Sequence, residues 1–211
     1  MNEVTTIYLT RHGQTEWNIQ HRFQGHNDSP LTELGIQQAK WLGESLINDR
    51  IDVIFSSSSP RAVRTAEIIA DEREIQIHTN DELKEISLGI WEGITQEEAK
   101  SGDPLQYNNF WDDPEAFNVQ DSERFSDVSS RSINLLHDII KEYSGKSILV
   151  VTHTVVVKLI MAYFENRALN NLWKPPYIHP TCLSKIEIHK DKHSIILHGD
   201  VTHLKDELIE S

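Results

Sequence analysis

Hydrophobic positions fall along the chain in short blocks whose spacing alternates between that of a strand and that of a helix. Residues 4–9 form an apolar run of strand length. Beyond Pro30, Thr32 stands as a cap before a helix in which Ile36, Ala39, Leu42 and Leu46 recur on one face. Residues 52–55 predict a second short strand, and the serines at 56–59 lead into a helix that begins near Pro60 and carries Ala62, Thr65, Ala66 and Ile69. A weaker edge strand is expected over 75–78. A helix from residue 122 or 123 to Tyr143 presents Phe125, Val128, Ile133, Leu136 and Ile140 and ends at Gly145. Residues 147–151 then read as a central strand and 155–164 as an apolar helix. Residues 182–188 and 194–198 read as an antiparallel pair turning near Asp191. Strand, helix and strand in succession imply crossover connections. The predicted fold is α/β, a three-layer α/β/α sandwich around a mostly parallel sheet.

The stretch from Leu83 to Arg124 breaks this rhythm. Gly89, Gly93, Gly102, Pro104 and Pro114 interrupt it, while Trp91, Tyr107, Phe110, Trp111 and Phe117 give it more aromatic bulk than a polar loop needs. It predicts a helical excursion, centred on about 94–122, over the carboxyl edge of the sheet. Two readings of it stay open: a lid or pocket wall, and a packed subdomain away from any ligand. With no internal repeat and no low-complexity linker, residues 1–211 are expected to form one domain.

Composition narrows the classes of function. The 211 residues are 38% hydrophobic and carry a formal charge of -13, a field that repels nucleic acid. A small anion is still admissible, because salt screens a distant surface beyond ~10 Å and a few converging arginines then dominate. No apolar run reaches the ~18 residues of a membrane span, and the N-terminus lacks a secretory pattern, so a cytoplasmic location without membrane association is expected. Cys182 is the single cysteine, which leaves no internal disulfide. No His-Glu-x-x-His string occurs, and metal catalysis is the minor reading. The oligomeric state is left open.

Two strands deliver chemistry at their exits. The first runs into Thr10-Arg11-His12-Gly13-Gln14-Thr15 and the fourth into Thr152-His153-Thr154. Parallel neighbours would bring both histidines to the carboxyl edge of the sheet, where open α/β sheets bind ligands. A guanidinium grips phosphate oxygens in fork geometry, and a neutral imidazole nitrogen can attack phosphorus. Each residue also has a plainer reading: a polar surface turn for Arg11 and His12, a helix cap for His153. Arg61, in the first turn of a helix, opposes the helix dipole and calls for a compensating anion. Among the carboxylates of the segment from Glu82 to Gly93, Glu85 is the candidate proton donor, and Gly89 and Gly93 allow a tight path past a pocket.

Thr10 to Asn18 reads TRHGQTEWN. Together with Phe23-Gln24-Gly25, Asp28-Ser29-Pro30-Leu31-Thr32, the block 56–66, the block 83–93 and Val151-Thr152-His153, it resembles the histidine phosphatase superfamily, the phosphoglycerate mutase-like group, as far as the last third of the chain. The resemblance implies that His12 is the phosphorylated nucleophile and that Arg11, Arg61 and His153 hold the phosphate. It implies that Glu85, not Glu92, is the acid. Asn18 matches a polar residue of the phosphate pocket, and Gln24 and Gly25 line its entrance. Many members have glycine after the second histidine; Thr154 keeps the backbone N–H there, at a helix start suited to phosphate, and adds a branched side chain at the rim.

The implied activity is a metal-independent phosphatase without a cofactor, acting on small-molecule phosphate esters. Leu172-Trp173-Lys174-Pro175-Pro176-Tyr177 and the Phe110-Trp111 region are similar to the PhoE-type broad-specificity bacterial phosphatases of the family, which implies varied monoesters. Lys84 and Lys174 are the candidates for a second cationic contact. The alternatives are a phosphoglycerate mutase and a non-catalytic phosphopeptide- or protein-binding module. Anion binding alone would need no nucleophile and acid pair, which weighs against the last.

Overall fold

Ile7 and Leu9 are buried on one side of the first strand and Tyr8 on the other, so that strand needs cover on both faces. The computed structural model, which describes residues 4–71, 73–190 and 192–205, provides it. Six strands, β1 (Thr5–Arg11), β2 (Val53–Ser57), β3 (Ile77–Asn80), β4 (Ser147–Thr152), β5 (Leu183–His189) and β6 (Lys192–Asp200), form one sheet in the order β3-β2-β4-β1-β5-β6. The first four are parallel; β5 and β6 are antiparallel to their neighbours. Helices α1 (Glu16–Ile19), α2 (Glu33–Ser45), α3 (Pro60–Ala70), α4 (Gln96–Gly102), α5 (Pro104–Asp112), α6 (Phe125–Glu142) and α7 (Thr154–Glu165) surround it. Ala39, Leu42, Ala66 and Ile69 of α2 and α3 cover one face. Val128, Leu136, Val156 and Ile160 of α6 and α7 cover the other. This is the α/β/α sandwich the hydrophobic blocks predict.

Register positions the chemistry. β1 and β4 pair so that Arg11 faces Thr152, and the next N–H, that of His12, donates to the carbonyl of Thr152 at 2.9 Å. His12 and His153 therefore leave adjacent strands at the same edge. The turn after β1 is fixed by a close approach: a Cβ on Gly35, in the first turn of α2, would collide with the backbone of Gln14. Only glycine lets that helix start lie against the turn.

Several boundaries differ from expectation for local reasons. Val4 is 41% exposed and lies outside β1, which instead continues through Arg11 because β4 pairs with it there. The stripe that α6 buries is Phe125, Val128, Ser132, Leu136 and Ile139, with Ile133 and Ile140 only half-buried at its margins. Ser132 is tolerated because its hydroxyl donates to the carbonyl of Val128 at 2.7 Å. The helix α1 has four residues, too few for a periodic signal, and is closed by a reciprocal capping box between Thr15 and Asn18. The expected turn at Asp191 lies outside the described residues.

The excursion carries α4 and α5, joined at Asp103, whose carboxylate accepts from the Gln106 N–H to open α5. Its rings pack together: Phe110 lies 5.2 Å from Phe117, 5.3 Å from Phe125 and 5.2 Å from Trp173 between centroids. Phe110 and Trp111 also line a cavity at the sheet's carboxyl edge. The segment is a packed aromatic cluster whose inner side lines that cavity, which fits the pocket-wall reading and not a subdomain set apart from it.

Candidate active site

A cavity of about 930 Å³ opens where β1 ends and α3 and α7 begin. His12 sits at its floor, 3% exposed, with Nδ1 2.7 Å from the carbonyl oxygen of Gly13. A carbonyl only accepts, so Nδ1 carries the hydrogen and Nε2 keeps its lone pair. That nitrogen lies 3.3 Å from Nε of Arg61. Burial, and then the neighbouring Arg61 and Arg11 charges, hold the ring well below the ordinary histidine range, so it is neutral.

Arg61 is 2% exposed and its N–H groups are all engaged. Nη1 donates to the Asp28 carboxylate at 2.9 Å and to the Asn27 carbonyl at 2.8 Å; Nη2 donates to the Gly25 carbonyl at 2.8 Å and to Nδ1 of His153 at 3.3 Å. The anion that its place in the helix calls for is Asp28. Arg11 differs: Nη1 donates to the Ile178 carbonyl at 2.9 Å, while Nε is buried without a partner among the described residues. It is the arginine with a donor to offer an incoming anion.

His153 is fully buried and stands behind this pair instead of lining the cavity. It accepts from Arg61 at Nδ1 and so donates from Nε2 to Oγ of Ser57, at 2.8 Å. Its ring meets that of His12 edge-on, with centroids 5.1 Å apart. Burial and Arg61 push it well below the usual range. In this arrangement His153 is a neutral ring that braces Arg61 from behind.

Glu85 is partly exposed on the cavity wall. One carboxylate oxygen accepts from the Ile86 N–H at 3.0 Å and the other from the Val155 N–H at 3.2 Å. Desolvation raises its pKa against these contacts and the two arginines, which favours the protonated acid. Glu92 has a different task. Its carboxylate accepts from the N–H groups of His26 (2.9 Å), Asn27 (3.0 Å) and Leu88 (3.1 Å), holding the turn whose carbonyls meet Arg61. Gly25, in that turn, has φ +56, and a Cβ there would strike Glu92.

Asn18, Gln24, Gly25 and Thr154 all line the cavity. Oδ1 of Asn18 accepts from Thr15, leaving its amide nitrogen uncommitted among the described residues. Gln24 donates to Oγ1 of Thr15 at 2.8 Å, and its own oxygen is buried without a partner. Lys84 pairs with Asp81 at 3.2 Å, and neither it nor Lys174 lines the cavity; Arg22 and Lys158 do. Sequence reasoning missed Asp28, Ser57 and the Ile178 carbonyl. Asp28 and Ser57 stand within motif blocks already singled out, whereas a backbone carbonyl leaves no mark in a sequence. Among the described residues no three His, Cys, Asp or Glu side chains are grouped to hold a metal ion, and no helix is long and apolar enough to cross a membrane.

Asp28→Asn tests the Arg61 mount. Hydrogen bonds to charged groups contribute about 1.5–3 kcal/mol, so the loss in kcat/KM for a phosphate ester is expected to be about 10- to 100-fold. Steady-state kinetics beside a thermal melt would check it; wild-type kcat/KM in a folded variant would contradict the role.

Known proteins are similar to this chain in structure and in sequence. The structure of Bacillus stearothermophilus YhfR superposes with a TM-score of 0.92 at 43% identity, covering 94% of this chain and 98% of that one. Phosphoserine phosphatase 1 of Hydrogenobacter thermophilus is 30% identical over 167 residues, 79% of each chain. Phosphoglycerate mutase-like protein 4 of Arabidopsis thaliana is 31% identical over 204 residues, 95% of this chain and 87% of that protein. The family model of the histidine phosphatase superfamily (branch 1) matches residues 7–201, from within β1 to just past β6, and the chain belongs to that superfamily.

Proposed function

We propose that this chain is a broad-specificity phosphatase, hydrolysing small-molecule phosphate monoesters through a phosphohistidine on His12, without a metal or other cofactor. The observation that carries the reading is the fixed tautomer of His12: Nδ1 carries the hydrogen, the Nε2 lone pair is held by Arg61 at 3.3 Å, and His12, Arg11, Arg61 and Glu85 line one cavity. Arg11 takes the phosphoryl oxygens, and Arg61 turns donors from the imidazoles toward them. The bond from Nε2 to phosphorus forms as the ester P–O bond breaks, and the Glu85 proton passes to the departing oxygen. Water then attacks phosphorus and gives a proton to the Glu85 carboxylate, the P–N bond breaks, and phosphate leaves. Guanidinium groups supply the charge stabilisation that magnesium supplies in many phosphoryl transfers. Asn18, Gln24 and the Thr154 N–H contribute further polar contacts to the phosphate.

Breadth of substrate is supported by the cavity's other half, where Phe110, Trp111 and Trp173 form an apolar wall with Arg22 and Lys158 near it. The phosphoserine phosphatase among the relatives supports an ester of a small molecule. A panel of aryl phosphate, sugar phosphate, phosphoserine, nucleotide and 3-phosphoglycerate, assayed for free phosphate and for isomerisation, tests it. Phosphate release is expected throughout, with kcat/KM values within roughly two orders of magnitude, the spread an apolar pocket imposes. Conversion of 3-phosphoglycerate to its 2-isomer without phosphate release would make the protein a mutase instead. Phosphate binding without turnover of any ester would make it a binding module.

A further inference from the structure

Lys158 lies in the second turn of α7 between Val157 and Leu159 and is 4% exposed. No carboxylate pairs with it among the described residues. Its ammonium donates instead to two backbone carbonyls, those of Lys174 and Pro176, both at 2.7 Å. Arg167 donates to the carbonyl of Lys174 at 3.1 Å and to that of Pro175 at 3.3 Å, and is itself held by Glu165 at 2.7 Å. Three consecutive carbonyls, 174 to 176, are thus taken by two cations. The chain then continues as cavity wall through Tyr177 and Ile178, and the Ile178 carbonyl accepts from Arg11. The 174–176 segment thus lies two residues before the carbonyl that anchors Arg11, the arginine whose Nε has no partner among the described residues.

We propose that Lys158 is a positioning residue of the phosphate site: its ammonium fastens the 174–176 carbonyls so that the Ile178 carbonyl aims Arg11 at the phosphoryl oxygens. The inference rests on the reading of Arg11 as a phosphate ligand. An ammonium buried against carbonyls alone is a costly arrangement for a structural clamp, and a neutral side chain of similar length would fill the same space. Its charge is what the carbonyls use.

That charge is sensitive to pH. Burial, and then Arg167, lower the Lys158 pKa to about 8, against the opposing pull of Glu165 and Cys182. The Cys182 thiol is pushed up to about 12, and His198 on β6, bonded to Glu165, is pushed below the ordinary range, so neither of these two changes charge near that pH. Below pH 8 the ammonium makes charge-assisted bonds. Above it they become neutral bonds of about half the strength.

The test is orthophosphate binding by calorimetry, with kcat and KM for an aryl phosphate, from below to above pH 8, for wild type, Lys158→Met and Lys158→Arg. Wild-type phosphate affinity is expected to weaken, and KM to rise, as pH passes through about 8. Lys158→Met is expected to bind phosphate about tenfold more weakly at every pH without that step, whereas Lys158→Arg, charged throughout, restores affinity and removes the step. Wild-type affinity and pH profile in Lys158→Met would overturn the inference, as would a folded Lys158→Arg no better than Lys158→Met. If Lys158→Met does not fold, wild type against Lys158→Arg decides: the same step near pH 8 in both overturns it. Absence of phosphate binding by wild type would instead overturn the reading of the site.

Discussion

Replacing His12 by alanine is expected to lower turnover of a phosphate monoester by roughly four orders of magnitude or more, the scale on which loss of a covalent nucleophile acts, while leaving ester binding nearly unchanged. The two effects separate because the imidazole is neutral. Burial and the adjacent arginines keep a proton off Nε2, so the substitution removes a lone pair and no charge. The anion-binding groups persist: Arg11 keeps its free Nε, and Arg61 gains a donor once Nε2 is gone. Wild type, quenched after mixing with phosphate-labelled ester, is expected to carry acid-labile label on His12, and the variant none. Calorimetry with the unhydrolysed ester on the variant reads binding directly. Activity in His12→Ala above about a hundredth of wild type would sink the covalent scheme.

Phosphate binding without turnover would also turn the variant into a tool, since a trapped ester reports which leaving groups the aromatic wall accepts. The wall shows how far the sequence carries. His12 and His153 were readable because each follows an apolar strand, and parallel pairing of β1 with β4 then leaves them side by side. Arg61 was readable as a cation in a helix's first turn, where an anion must compensate it. Which anion was not readable: Asp28 lies 33 residues away on a turn set by Gly25 and Glu92. The anchor of Arg11 was less accessible still, a backbone carbonyl 167 residues distant. Lys158 sat in plain view inside an apolar helix, yet its partners are carbonyls from a later loop. Side-chain type and periodicity mark strands, helices and reactive groups. They do not mark contacts in which one partner is main chain, and those contacts aim both arginines.

Glu85→Gln is expected to lower kcat/KM for an alkyl phosphate by about 10²- to 10⁴-fold, the usual range for a general acid, and to cost far less in the first step with an aryl phosphate. An alkoxide cannot leave without a proton, whereas an aryl oxide can. With the aryl ester, phosphorylation of His12 then proceeds but the hydrolytic step has lost its base. A burst of aryl alcohol equal to the enzyme concentration, followed by a slow phase and accumulation of labelled phosphohistidine, is the expected signature. Burial raises the Glu85 pKa, so alkyl ester turnover declines as pH rises through that value, and the glutamine variant loses this dependence. The same shift predicts stability. With a folded pKa above the unfolded one, the folded state binds more protons between the two values, and wild type loses stability as pH rises through that window. Glutamine never ionises, although its amide leaves one of the Ile86 and Val155 N–H groups facing a nitrogen. The difference in melting temperature should therefore move toward the variant as pH rises, whatever its value at acid pH. Equal losses on aryl and alkyl esters with no burst would show that Glu85 shapes the pocket without handling the proton.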